Sequence, residues 1–515
     1  MKNIKHIIGI LVIVLLCSRC YEDKGNYDYK NTNVPTVLNI SYNQQFNLTV
    51  GDEIHIQPEI IYEKGNIPEV EYEWVINDEV VSKEKDLWIP KYNGRSGYLK
   101  ASLNIIDKAT QIKFFNPFRL VVASKYEAGF LILSEKDGKS QLSFIREKSK
   151  YIDGEWTKVY EDETDINPEG YGTKPVRLVE HWTADDEIIG EVLVINENEC
   201  LELEGADLNV ELNTRDEFMD GVYPENFKPV DALYLLWNSY LIMEDGTMYG
   251  RRVVDVHGYH TGKYLDLPIT TSGGMNAKKV LRSNYLRSNQ GLIYSEDQSN
   301  RLLLIADNTQ ESSEYIGNIS PLEYWWYPNE DCTPLDNMGD KKLKFAGYFT
   351  YGYKRSGYFT ILQSESTGKY YMQEFVVGIS YGEADVEDFV YEAEFPGGSL
   401  LKDDSQLLVC PEGTRVFFSS DNKLYHVDRW DEDYMEVREY SNIQFNAKIT
   451  SLCKHRNKEQ IGVGLENGEF YILTSDDRSL VDGGQIVYQA KTNFGKIVNS
   501  IYKYGKKKYY ENPNM

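Results

Sequence analysis

A strand–turn–strand unit recurs along most of this chain and restricts its fold more than any other feature. Hairpins of this kind start at Gly129, Glu191, Ser239, Gly291, Gly357, Thr414 and Gln460. Their spacing is roughly 45–65 residues, and such a period with one hairpin per step is the mark of a β-propeller. The unit is most regular at Ala447–Asp477. There a short apolar strand, Ile449–Cys453, precedes two alternating runs joined at Glu466-Asn467-Gly468. Asn-Gly between such runs predicts a tight hairpin in which both residues take positive φ.

A leading strand also recurs, often opened by Lys and an apolar residue. It is seen at Lys174-Pro175-Val176, Lys228-Pro229-Val230, Lys279-Val280, Lys342-Leu343 and Lys448-Ile449. Its last occurrence, Lys496-Ile497, has no hairpin after it, whereas the first hairpin, Gly129–Ile145, lacks a leading strand. The two halves predict a ring closed by the C-terminal strand, which removes the sheet edges that invite aggregation. Seven blades are expected over residues 124–508, with six or eight left open, and 509–515 read as a tail. The Trp430-Asp431 dipeptide does not recur after the other hairpins, which disfavours a WD40 array.

The N-terminus differs from the rest. Lys2 and Lys5 precede a ten-residue apolar run, Ile7–Leu16, and then Cys17-Ser18-Arg19-Cys20. The run is too short to span a bilayer and reads as a secretory signal over residues 1–19. A cysteine stands where a cleavage site would, which resembles a bacterial lipobox. Cys20 is the expected lipidated residue, Cys17 the alternative, and Arg19 departs from the usual small residue there. Residues 20–36 are polar and aperiodic and read as a tether. Acyl chains are then the only expected membrane contact.

From Val37 to Ala123 about seven short strands follow one another, a number that suits an Ig-like sandwich. Trp74 in the middle strand is the expected core plug. CYEDKGNYDY at Cys20–Tyr29, with VGDEI, YEWVIND and YLKASLNIID after it, resembles the PKD-like lipoprotein family of Bacteroidetes. The likeness runs over roughly the first 145 residues and includes GFLILSEKDGKSQLSFI at Gly129–Ile145. It implies an accessory surface lipoprotein of SusC/SusD-type uptake systems, lipid-anchored in the outer membrane and facing outward. Glu22 and Asp23, directly after the anchor, resemble a surface-export signal of such lipoproteins. The family defines no catalytic residues, so the resemblance carries none over.

The formal charge of −26 argues against a nucleic-acid partner, which would require a basic face. Four further cysteines, Cys200, Cys332, Cys410 and Cys453, lie far apart without CxxC spacing. They read as isolated buried thiols, with one disulfide left open. His257 and His260 in VHGYH lack a third ligand and an HExxH frame, so they read as surface histidines and no metal is expected. Carboxylates are abundant, 81 in all, so their pairing says little. Asp185-Asp186-Glu187, Glu383–Glu387 and Asp403-Asp404 read as solvated loops. GxSxG, P-loop and calcium-loop patterns do not occur, and neither a catalytic residue nor a cofactor is expected.

The cluster Tyr324-Trp325-Trp326-Tyr327 is the most suggestive stretch for ligand binding. Four adjacent aromatics cannot all face one sheet core, because neighbours in a strand point opposite ways. Exposed rings there could stack on sugars or anchor a partner, although a loop plugging the side of the propeller would use them equally well. Tyr351 and Tyr353 lie in a second tyrosine-rich loop and are grouped with them. The expected function is non-catalytic capture of a peptide or glycan beside a SusC/SusD-type transporter. A propeller hydrolase or lyase using cleft carboxylates, and a purely structural assembly subunit, are the alternatives.

Overall fold

The structure is a computed structural model and describes residues 32–152, 155–271, 273–283, 290–307, 318–322, 324, 331–351, 355–380, 383–429 and 436–508. Cys17, Cys20, Glu22, Asp23, Trp325, Trp326, Tyr327 and Tyr353 therefore lie outside the described residues. The chain is all-β and divides into two compact units. Among the described residues the first comprises 32–47, 54–90 and 98–121, and the second takes in the rest. No described helix is long and apolar enough to cross a membrane.

The first unit is a β-sandwich. Its main sheet has five strands in the order Gln45–Thr49, Lys113–Ala123, Gly97–Asp107, Val70–Ile76, Glu79–Ser82. A short pair, Ile54–Ile56 with Leu87–Ile89, supplies apolar residues to the core. Alternation decides which side chains point inward: in Gly97–Asp107, Leu99, Ala101, Leu103 and Ile105 are buried. Trp74 is fully buried and meets the Phe118 ring edge-on at 6.0 Å. Its indole N–H donates to the Glu84 carbonyl at 3.0 Å, which satisfies the polar end of an otherwise apolar plug.

Among the described residues, the second unit carries seven antiparallel sheets arranged as the blades of a propeller. Within a blade, sequential strands run from the centre outward. The innermost strands of blades 2 to 7 are Pro175–His181, Pro229–Tyr234, Ala277–Leu281, Lys341–Thr350, Leu407–Val409 and Ile449–Lys454. Blade 1 takes its innermost strand from the other end of the chain. Lys496–Lys503 pairs antiparallel with Gly129–Lys136, as the unfinished unit at Lys496 predicts. Neighbouring innermost strands touch all the way around, with Lys496–Lys503 between those of blades 7 and 2.

The leading strands share a defect. Those of blades 2, 3, 4, 5 and 7 shift register by one residue near their start, at Pro175/Arg177, Pro229/Asp231, Ala277/Lys279, Leu343/Phe345 and Ile449/Ser451. A bulge at this place increases local twist, which strands packed around a common axis require. Blade 6 has only a three-residue inner strand and no recurring Lys-apolar opening.

The turn of blade 7 departs from expectation in one respect. Gly468 has φ +90°, but Asn467 is not among the residues with positive φ. The Gly468 N–H donates to Leu465 O at 3.1 Å, and the Leu465 N–H donates to Glu469 O at 3.0 Å. This is a three-residue loop with a glycine bulge rather than a two-residue mirror turn. The mirror turn occurs in blade 1, where Asp137 and Gly138 have φ +52° and +74°. Cys200, Cys332, Cys410 and Cys453 are all free and buried, in line with the reading as isolated thiols.

Candidate functional site

The face of blade 2 that packs on blade 3 begins as ordinary core and ends in ionisable groups. Cross-strand register puts Ile195 opposite Cys200, Leu193 opposite both Val179 and Glu202, and Glu191 opposite His181. Residues two apart share a face, so Glu202 continues the row of Cys200, and Glu191 that of Leu193. Ile195, Leu193, Val179 and Cys200 join Ala232, Tyr234 and Leu241 of blade 3 in one apolar cluster. Where that cluster ends, His181, Glu191 and Glu202 converge with Glu217 from the short helix Thr214–Glu217.

His260 reaches this cluster from blade 3, and its reading as a surface histidine is corrected here. It sits in the loop after Met248–Arg252, in a left-handed conformation with φ +58°. The loop is closed on itself by hydrogen bonds from Val254 N–H to Thr261 O at 2.9 Å and from the Thr261 hydroxyl to Asp255 O at 2.7 Å. Gly262, at φ +121°, brings the chain so close to Arg252 that a Cβ would lie 2.0 Å from its carbonyl oxygen. His260 thereby presents Nδ1 to Glu217 at 3.2 Å and Glu202 at 3.4 Å, and Nε2 to Glu211 at 3.2 Å and Glu191 at 3.3 Å. His257, by contrast, is exposed, as expected.

Other contacts fix the remaining members. His181 Nε2 lies 3.7 Å from a carboxylate oxygen of Glu191 and 3.7 Å from one of Glu202. That nitrogen makes no hydrogen bond among the described residues, although His181 is only 4% exposed. The ring is held flat against Tyr234, with centroids 3.8 Å apart, and edge-on to Tyr259. The Thr214 hydroxyl donates to the other oxygen of Glu202 at 3.1 Å. Arg251 pairs with Glu217 at 2.5 Å and lies over the Tyr264 ring.

Burial governs the electrostatics. It pushes Glu191 up to about 7, against the pull of His260. Burial and then the Glu217 charge raise Glu202 well above the carboxylate range. Glu217 goes the other way: burial opposes ionisation, but the hydrogen bond from His260 and the Arg251 charge outweigh it. His260 is likewise disfavoured as a cation by burial, yet Glu191 and Glu217 hold it protonated up to about 11. His181 is driven well below its ordinary value by burial, then by Arg251 and His260. Neutral His181 offers a lone pair, and Glu191 and Glu202 offer oxygens that cost little to deprotonate if a cation replaces the proton.

A cavity of about 200 Å³ lies beside the cluster, lined by Trp182, Thr183, Ala184, Tyr234, Leu235, Leu236 and Lys507. A smaller one shares Trp182, Tyr234 and Leu235 with it and adds His181, Arg282 and Gln290. Trp182 donates its indole N–H to Gly505 O at 2.8 Å, and Lys507 pairs with Asp186 at 3.0 Å. The C-terminal segment that closes the ring thus also forms part of the cavity wall.

The aromatic residues singled out from the sequence are placed differently. Tyr324 packs against the core of blades 4 and 5, and its hydroxyl accepts the Leu335 N–H at 2.8 Å. Tyr351 is half-buried beside Phe349 and packs on the next apolar cluster. Both serve the cores, because a ring at the end of a blade finds more apolar surface below it than above. Of the solvated acidic loops, Asp403 and Asp404 pair with Lys344 and Lys448, and Glu187 with Lys506 and Lys508.

Residues 20–175 match the PKD-like family. No curated protein matches the sequence. Among solved structures, the chain is similar to a putative 6-phosphogluconolactonase from Bacteroides fragilis NCTC 9343, 12% identical, covering 73% of this chain and 98% of that one, with a TM-score of 0.42. A putative 6-phosphogluconolactonase from Bacteroides uniformis ATCC 8492 is 9% identical over 73% and 99% of the two chains, with a TM-score of 0.40. The β-propeller domain of Myceliophteria thermophila Cps50 (Swd1) is 8% identical over 63% and 89%, with a TM-score of 0.38. At these identities and scores the likenesses carry no argument about ligand or activity.

Proposed function

We propose that this chain is a lipid-anchored surface protein that captures a small ligand on its propeller and does not transform it. The observation that carries the reading is the cavity at Trp182 and Tyr234. Its volume, about 200 Å³, is below that of a drug-sized pocket and suits one sugar ring or one amino-acid side chain. An indole at the wall offers a flat apolar face, which a pyranose ring or a peptide side chain can cover. Trp182, Ala184 and Leu236 are partly exposed and form the mouth, while Tyr234 and Leu235 are buried and form the floor.

In this reading Cys20 carries the acyl anchor and residues 21–36 are the tether. The protein faces outward from the outer membrane and passes a glycan or peptide to a SusC/SusD-type transporter. The anchor is supported by the apolar run Ile7–Leu16 before the cysteines, and the transporter by the resemblance of the N-terminal segment. Two measurements test it. Calorimetry of the detergent-solubilised protein against oligosaccharide and peptide panels is expected to find binding without product, weakened at least about tenfold by Trp182→Ala. Product formation would favour a hydrolase, and co-purification with a transporter without binding would favour a structural subunit. Fatty-acid labelling is expected to be lost with Cys20→Ala and kept with Cys17→Ala.

A further inference from the structure

We propose that His181, Glu191 and Glu202 bind a divalent first-row transition metal, of the zinc or manganese class, at the junction of blades 2 and 3. The site goes beyond ligand capture and does not depend on it. One nitrogen and two carboxylate oxygens lie within 4.8 Å of one another, all on buried side chains. His181 Nε2 stands 3.7 Å from each oxygen. Ligands bound at about 2.0–2.2 Å in a tetrahedral site are separated by roughly 3.3–3.6 Å, so the two edges that meet at His181 need contract by only a few tenths of an ångström, and the third, between the carboxylate oxygens, lies within 4.8 Å.

Two further observations point to a cation. His181 Nε2 is buried, makes no hydrogen bond among the described residues and faces both carboxylates. Leaving a buried polar atom in that state is costly, and a metal bond would remove the cost. His260 Nε2 and Nδ1 approach the same oxygens of Glu191 and Glu202 at 3.3 and 3.4 Å, but without the alignment of a hydrogen bond.

The donor set chooses the metal class. Imidazole with carboxylates suits zinc, manganese, iron or nickel, whereas calcium takes six to eight oxygens. The surroundings resemble a supporting shell: Thr214 orients Glu202, and Tyr234 fixes the His181 ring. Two other triads share these side chains. Glu202–Glu217–His260 is disfavoured because Arg251 already holds Glu217, and Glu191–Glu211–His260 because Glu211 is 40% exposed. All three proposed ligands belong to blade 2, so the ion would sit on that blade with His260 closing over it from blade 3.

The test uses the full-length, tag-free protein, stripped with a chelator and titrated with Zn²⁺, Mn²⁺, Co²⁺ and Ca²⁺. One equivalent of Zn²⁺ or Co²⁺ is expected to bind, with visible Co²⁺ absorption and a higher melting temperature. His181→Ala and Glu202→Gln are each expected to weaken binding about 100-fold or more, and Glu211→Gln less than about threefold. Circular dichroism checks that each variant folds. If His181→Ala does not, Glu202→Gln, which keeps shape and volume, decides the matter with the wild-type Co²⁺ spectrum. Absence of stoichiometric binding, preference for Ca²⁺, unchanged affinity in Glu202→Gln, or equal loss in Glu211→Gln would each overturn the site.

Discussion

Single buried side chains account for much of what the sequence did not disclose. Trp74 was legible as a core plug because a large apolar residue in the middle of an alternating strand has one place to go. Glu202 was legible only in part: it shares a strand face with Cys200 and so should have been suspected of burial. His181, Glu191 and Glu217 are brought together by the strand register of blade 2, and His260 joins them only when blade 3 packs against it. Asp307 is another buried acid of this kind. It accepts hydrogen bonds from Trp237 N–H at 2.6 Å and the Asn238 amide at 2.5 Å. Burial nevertheless dominates and pushes it up to about 7 from an ordinary 3.8. The folded state therefore keeps a proton, between about pH 4 and 7, that the unfolded state has released. Stability contributed at this residue is highest at the acid end of that window and falls as pH rises through it. The loss by pH 7.5 should be a few kcal/mol, since each tenfold in proton affinity is about 1.4 kcal/mol. Asp307→Asn cannot titrate, so its unfolding free energy should fall less between pH 5 and 7.5 than that of the wild type. Denaturant melts at the two pH values measure the difference, and parallel profiles would remove Asp307 from the account.

At the scale of elements the sequence specified hairpins better than turns. Asn-Gly at 467–468 located the blade 7 hairpin correctly but implied two residues of positive φ where the chain uses one. Local composition narrows the turn to a few types, and the register of the flanking strands selects among them. The difference has a measurable consequence. Gly138 and Gly468 both have positive φ, but a Cβ at Gly138 would meet nothing within 4 Å. At Gly468 it would lie 2.4 Å from the Asn493 side-chain oxygen and 2.6 Å from Gly495 O. Gly138→Ala should therefore cost only the left-handed penalty, about 1–2 kcal/mol. Gly468→Ala carries the same penalty and must also displace the segment that leads into Lys496–Lys503. It should be destabilised by at least about 1 kcal/mol more, read as a lower melting temperature than Gly138→Ala. Equal melting temperatures would show that the segment yields freely.

For the propeller as a whole, closure is the property that most needs a distant partner, and it was the one most plainly written in the chain. An unfinished unit at Lys496 and a first hairpin without a leading strand are complementary only if the two ends meet. The structure shows how firmly they do. Besides its ladder with Gly129–Lys136, the last strand is bound on either side by neighbouring blades. The Asn499 side-chain oxygen accepts Leu178 N–H at 3.0 Å, and the Ser500 and Ser451 hydroxyls lie 2.7 Å apart. Just beyond it, Tyr504 and Gly505 donate their N–H groups to Glu180 at 2.7 and 2.9 Å. Ile497 is fully buried and packs with Phe130, Ile132 and Phe470. Without this strand, Gly129–Lys136 would become an open inner edge, and blade 7 would lose the Ile497 side chain packed between it and blade 1. Both are conditions for association through exposed strands. A chain ending at Gly495 should thus lose its cooperative melt and elute as aggregates. Ile497→Asp in the full chain should keep the ladder but place an unpaired charge in the core, lowering stability by about 3 kcal/mol or more. Size-exclusion chromatography and thermal melts distinguish the two effects. If the shortened chain stays monomeric and melts as the intact one does, blades 2 to 7 hold their arrangement unaided and the C-terminal strand is an addition to the ring rather than its closure.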